Sequence, residues 1–142
     1  MTPTLVLVGA LSVYAPDDGH NGGTLACGGA YRWNQHHIAI RSWRRVGCGA
    51  TAKVCVCARV GAGQPRHAAG QSGAPRRPRR CVWTEVRDSG PWGLQCGRRW
   101  RVWTKHRVPR GCRRRAVVDL SYALWRALGS PKFLTKVRIE VY

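Results

Sequence analysis

Two aspartates in this sequence stand where a carboxyl group could do chemistry. Asp88 ends a run over residues 82–88 in which Val82, Thr84, Val86 and Asp88 fall on one side of an extended chain and Trp83, Glu85 and Arg87 on the other. A carboxyl on the apolar side is expected to be partly desolvated, which raises its pKa toward use as a general acid. The competing role is structural, because an aspartate readily accepts hydrogen bonds from the backbone N–H groups of a turn such as Ser89-Gly90-Pro91. Asp119 is the second carboxyl. It stands two residues before Ser121, where a helix is expected to start, so an N-cap worth about 1 kcal/mol competes with any catalytic role. Trp92 follows the Asp88 turn directly, and Trp100 and Trp103 lie in a basic segment, so these three indoles offer binding surface near the candidate acid. Trp83 and Trp125 are expected in the core.

The other reactive residues are seven cysteines: Cys27, Cys48, Cys55, Cys57, Cys81, Cys96 and Cys112. That density points to an oxidising compartment and disulfides, with one thiol left over. Small buried apolar residues in a reduced protein are the alternative. Cys57 would face Cys81 if residues 61–80 close a hairpin, and Cys96 with Cys112 would staple the basic segment, which leaves Cys55 as the odd thiol. No C-x-x-C occurs, and Cys55-Val56-Cys57 with His36 and His37 lacks zinc-finger or ribbon spacing, so neither a metal nor a cofactor is expected.

These residues must be held by strands. The chain has 142 residues, 25 Lys+Arg against 6 Asp+Glu and a formal charge of +19. A single domain of this length buries roughly 68–70% of its unfolded surface, and an apolar share of 44% argues against wholesale disorder. The longest apolar stretch, residues 5–15, is broken by Gly9, Ser12 and Tyr14 and falls short of the roughly 18 residues that span a bilayer. The start Met1-Thr2-Pro3-Thr4 lacks the basic residues of a signal peptide, and Pro16 spoils the best cleavage site after Ala15. Strict alternation predicts strands over residues 53–60, 82–88 and 136–141, and β-branched and aromatic content adds residues 5–14 and 37–43. One helix is expected over residues 121–128, with Leu120, Leu124 and Leu128 at four-residue spacing and Gly129 and Pro131 beyond its end. Residues 61–80, rich in Gly, Pro, Ala and Arg, read as a long hairpin loop. The basic clusters are Arg76, Arg77, Arg79 and Arg80 in that loop, then Arg98, Arg99 and Arg101, then Arg113, Arg114 and Arg115.

Short motifs occur in a telling order. Gly9-Ala10-Leu11-Ser12-Val13-Tyr14 precedes Cys27-Gly28-Gly29-Ala30-Tyr31, then Gly47-Cys48-Gly49, Val86-Arg87-Asp88-Ser89-Gly90-Pro91 and Val117-Val118-Asp119-Leu120-Ser121, and Lys136-Val137-Arg138-Ile139-Glu140-Val141 closes the series. This series resembles the rare lipoprotein A family, whose barrel is shared by expansins, barwin-like proteins and a class of endoglucanases. The resemblance spans about residues 8–142, with residues 61–80 and 95–115 as insertions. It implies an all-β fold, a six-stranded double-psi β-barrel with one short helix. It also implies a polysaccharide ligand, with septal lytic transglycosylases of peptidoglycan among the relatives. Such an enzyme needs an acid to protonate the glycosidic oxygen and a base to let the muramyl 6-hydroxyl attack, or one group used twice. The resemblance places Asp88 and Asp119 at motif aspartates, and in the endoglucanase relatives the residue matching Asp119 looks like the proton donor. Tyr31 and Arg87 join Trp92, Trp100 and Trp103 as expected substrate-binding residues, the indoles as a platform for sugar rings. Family members with cysteines at the places of Cys27 and Cys48 bridge them.

Two departures count against activity. The family glutamate position is Gly29, and the family histidine position is Ile40; His36 and His37 lie nearby, but the three-residue offset puts His37 on the opposite face, where an exposed edge histidine is expected. The implied protein is a monomer of the cell envelope or extracellular space that binds peptidoglycan or another anionic wall glycan and, if active, cleaves it through Asp88. A non-catalytic expansin-like glycan-binding module is an alternative. So is a nucleic-acid binder, since arginine runs beside Trp100 and Trp103 suit phosphates and bases, although no nucleic-acid motif is present.

Overall fold

The computed structural model describes residues 1–17, 23–57 and 80–142. The strands are β1 (Leu5–Tyr14), β2 (Ile38–Ala39), β3 (Thr51–Val56), β4 (Arg80–Asp88), β5 (Gly93–Cys96), β6 (Arg99–Val102), β7 (Cys112–Arg113), β8 (Ala116–Ser121) and β9 (Lys136–Val141). Among the described residues two short helices join them, α1 (Trp43–Val46) and α2 (Tyr122–Ala127). Six strands close into a barrel in the order β1-β8-β2-β4-β3-β9, so the chain is an all-β barrel protein. The β1/β8 and β2/β4 pairs are parallel; the other barrel pairs are antiparallel.

Alternation explains the interior. Leu11, Val54, Val86, Val118, Leu120, Val137, Ile139 and Val141 point inward from five strands and are almost fully buried, with Ile38 from β2 among them. Burying each such side chain stabilises the fold by about 1.5–3 kcal/mol relative to leaving it exposed. Leu124 and Leu128 close one end of this core from α2. Trp125 packs against it, whereas Trp83 does not. It projects from the outer side of β4, is 53% exposed and lies 5.6 Å from Tyr142.

Several boundaries differ from the expectation. The strand expected over residues 37–43 is only Ile38–Ala39. Its neighbours β4 and β8 cover both edges, Ile40 donates to Asp88 O, and beyond it the chain enters α1, which ends at Gly47 with φ 93°. The expected helix starts one residue late because β8 runs on through Ser121, which pairs with Tyr14. Ser121, with extended backbone, is the N-cap; its hydroxyl donates to Gln35 O and accepts from His37 N instead of capping the helix. Asp119 is therefore a strand residue and not a cap. Of the strand expected over 53–60 the structure describes Thr51–Val56, and residues 61–79, with Arg76, Arg77 and Arg79, lie outside the described residues.

The basic insertion has its own architecture: β6-β5-β7 form a separate three-stranded sheet. Cys96 and Cys112 are directly opposed across β5 and β7 and are bridged. Cys27 and Cys48 are bridged as expected. The third bridge corrects the expectation. Antiparallel register sets Cys55 opposite Cys81, so these two pair, and Cys57, one residue past the end of β3, keeps the free thiol.

Candidate active-site cleft

Asp119 and Asp88 reach one site by different routes. On β1, Leu11 points into the barrel, so Ser12 and Tyr14 do not, and Asp119 of β8 lies opposite Ser12. The Ser12 hydroxyl donates to Asp119 Oδ1. By simple alternation Asp88 shares the inward side of Val86. However, β4 advances two residues, Val86 to Asp88, while β2 advances one, Ile38 to Ala39, and the extra residue re-aims the strand end. Asp88 thereby comes into register with Ala39, whose other neighbour is Asp119. Two strand spacings put the two aspartate Cα atoms about 9–10 Å apart, on either side of Ala39. Both carboxylates line a cleft of about 710 Å³, counting its open mouth, together with Ser12, Tyr14, Trp92 and Trp100.

Asp88 is 5% exposed and firmly held: its Oδ1 accepts from Ala26 N at 2.7 Å and Ser89 N at 2.9 Å. It thus ties down the turn as well as lining the cleft. Asp119 is half-buried. Gly90, with φ 152°, lets the β4–β5 turn come close to it, because a Cβ there would sit 3.0 Å from Asp119 Oδ2.

Behind the carboxylates lies a polar chain. The Tyr14 hydroxyl bonds Asp88 and sits 3.0 Å from His37 Nδ1. Burial first, then the charge of Asp88, push the Tyr14 hydroxyl well above its ordinary range, with smaller contributions from Tyr31 and Asp119, so it stays protonated. Burial, reinforced by the positive charges of Arg87 and His36, pushes His37 down to about 4, so its ring is neutral at pH 7. The tautomer follows from counting protons. Tyr14 has one to give, an ionised Asp88 can only accept, and so Nδ1–H of His37 donates to the Tyr14 oxygen. His37 Nε2 is then a bare acceptor, and it is buried without a hydrogen-bond partner among the described residues.

An aromatic and basic wall faces this chain. Trp100 from β6 lies over Gly93 of β5, where a Cβ would overlap its ring, and meets Phe133 edge-on at 4.8 Å. Trp92 carries the guanidinium carbons of Arg41 and Arg114 at 5.7 and 5.5 Å from its ring centre.

Of the expected site residues, Asp88, Asp119, Trp92 and Trp100 come together in the cleft. Tyr31 is not part of the cleft lining: it is 4% exposed, and its hydroxyl donates to Tyr14 O and accepts from Tyr122 N, which fixes the end of β1. Arg87 lines a different hollow with Glu85, its partner at 3.4 Å, and with His36 and His37. Trp103 lies outside the cleft lining, flanked by Arg101 and Lys105, with its indole N–H donating to Arg107 O. His37 is the opposite of an exposed edge histidine, at 2% exposure. Ser12, Tyr14 and His37 were not among the expected site residues, although Ser12 and Tyr14 stand in the first motif of the sequence. Among the described residues no group of His, Cys, Asp and Glu side chains is placed to hold a metal ion, and no helix is long and apolar enough to cross a membrane. The chain matches no protein-family model and no curated protein sequence.

Proposed function

We propose that this protein is a double-psi barrel that binds peptidoglycan glycan strands and cleaves them by intramolecular transglycosylation. The observation that carries the reading is the convergence of two carboxylates, Asp88 and Asp119, with the indoles of Trp92 and Trp100 in one open cleft. Sugar rings present apolar faces that stack on indoles, and a glycosidic bond held beside a carboxyl group can be broken by proton transfer.

In this reading the acid role falls to Asp119 and not to Asp88, where it was expected. Asp119 is half-buried and accepts from the Ser12 hydroxyl, whereas Asp88 is 5% exposed and held by two backbone donors and Tyr14. Asp119 in its acid form donates its proton to the glycosidic oxygen as the C1–O bond breaks. The carboxylate so formed takes the proton of the muramyl 6-hydroxyl as that oxygen bonds to C1, so no water is consumed and Asp119 ends as it began. Asp88 supplies fixed negative charge toward the oxocarbenium-like transition state. The large positive charge concentrates the protein on anionic walls. Three disulfides are compatible with the oxidising environment such a target implies, and an extracellular or envelope location is part of this proposal.

The test is incubation with peptide-stripped glycan strands and mass analysis of the products. Anhydromuramyl ends are the expected result. Strand binding without products would overturn cleavage and leave a glycan-binding module. A second reading, single-stranded nucleic-acid binding, is favoured by arginines interleaved with Trp92, Trp100 and Trp103. Retention on single-stranded DNA but not on purified walls at raised salt would establish it instead.

A further inference from the structure

Arg41 and Arg114 have Trp92, a residue of the cleft lining, as their common neighbour. Arg41 follows Ile40, whose N–H is fixed to Asp88 O, and its Nη2 lies 3.4 Å from Pro91 O, so the side chain is drawn over the turn that carries Trp92. Arg114 is half-buried, and its Nη2 donates to Trp103 O at 3.2 Å and Lys105 O at 3.1 Å. Its Nη1 is buried with no hydrogen-bond partner among the described residues. Among the described residues the ion pairs are Arg87–Glu85 and Arg138–Glu140, so neither Arg41 nor Arg114 has a carboxylate partner there. Burial lowers the pKa of both guanidinium groups, and the charge of Arg114 lowers that of Arg41 further. Two like charges held together and partly desolvated are unfavourable unless an anion offsets them.

We infer that Arg41, backed by the fixed charge of Arg114 and the face of Trp92, forms an anion subsite that takes a carboxylate substituent of the glycan bound in the cleft. Arg41 is exposed and supplies the fork that a planar carboxylate matches; Arg114 adds field from behind. Trp92 lines the cleft as well as contacting both arginines, so a sugar stacked on it presents its substituents to this pair. In a muramyl strand the group of that chemistry is the lactyl carboxylate. The inference rests on the glycan reading above and names which part of the strand the site distinguishes.

The experiment uses the full chain and two probes: peptide-stripped strands with free lactyl carboxylates, and the same strands with those carboxylates converted to methylamides. Binding is read from tryptophan fluorescence at fixed ionic strength for the wild type, Arg41→Gln, Arg114→Lys and, as a control that also removes one exposed charge, Arg45→Gln. The wild type is expected to bind the free-acid strands about tenfold or more tightly than the amidated ones. Arg41→Gln is expected to lose most of that preference while still binding amidated strands, Arg114→Lys to keep much of it, and Arg45→Gln to keep it all. Equal binding of both probes by the wild type, or equal losses in Arg41→Gln and Arg45→Gln, overturns the subsite and leaves the glycan reading standing. Failure to bind either probe overturns both. So does an Arg41-dependent affinity for single-stranded DNA that the strands do not share.

Discussion

Tyr14 holds the two sides of the site together, since its single hydroxyl joins the Asp88 carboxylate to the His37 ring. Replacing it with Phe leaves two buried groups short of a partner. Tyr14→Phe is expected to cost about 1–3 kcal/mol in urea unfolding and to lower the cleavage rate by roughly tenfold or more. His37 adds a pH dependence with a definite sign. Above pH 6.5 the ring is neutral in both folded and unfolded chains, and as pH falls from 6.5 toward 4 the unfolded chain gains its proton first. Stability should therefore decline across that window by something on the order of 2–3 kcal/mol and stop declining from this source below about 4. His37→Asn, compared with wild type at pH 7 and pH 4.5, should lose less stability on acidification; an identical loss would remove His37 from the account. Asp88 was legible in the sequence because strand alternation and motif position both mark it, and Asp119 because of its motif position alone. Tyr14 and His37 were not, because their contact joins positions 23 residues apart and no local pattern signals a hydrogen bond between them.

At the scale of elements, the alternating runs read clearly: residues 5–14 form β1 as expected, and β4 and β9 differ from expectation by two residues or fewer. Two features escaped the pattern. The bulge that turns Asp88 toward Ala39 depends on how β4 aligns with a two-residue strand, and pairing register is a property of two segments at once. The same limit hid the third disulfide, because whether Cys55 or Cys57 meets Cys81 is set by a two-residue shift of β3 against β4. The register predicts a single free thiol under denaturing, non-reducing conditions, located at Cys57 by peptide mapping. It further predicts that Cys57→Ser changes stability by less than about 0.5 kcal/mol, while Cys55→Ser with Cys81→Ser costs about 2–4 kcal/mol. A label on Cys55 would show that the strands are out of the register described.

For the whole molecule, the barrel and its appended sheet divide the work: the barrel strands fix the carboxylates, and the turn before β5 and strand β6 bring Trp92 and Trp100 over them. The charge of +19 acts at longer range. Retention on purified walls should fall steeply as salt is raised from about 0.05 to 0.5 M, since exposed charges are screened beyond a Debye length of roughly 10 Å at 0.1 M. The cleft itself, where stacking and short contacts dominate, should respond less, so product formation from short soluble strands should change far less over the same range. The proposed cleavage of glycosidic bonds through Asp119 is tested by the rate of anhydromuramyl end formation from peptide-stripped strands, compared between the wild type and Asp119→Asn. Anhydro ends are expected with the wild type and a fall of at least about 100-fold in the variant, with strand binding retained. Equal rates in the two proteins, or ends that have gained water, would contradict the proposed cleavage.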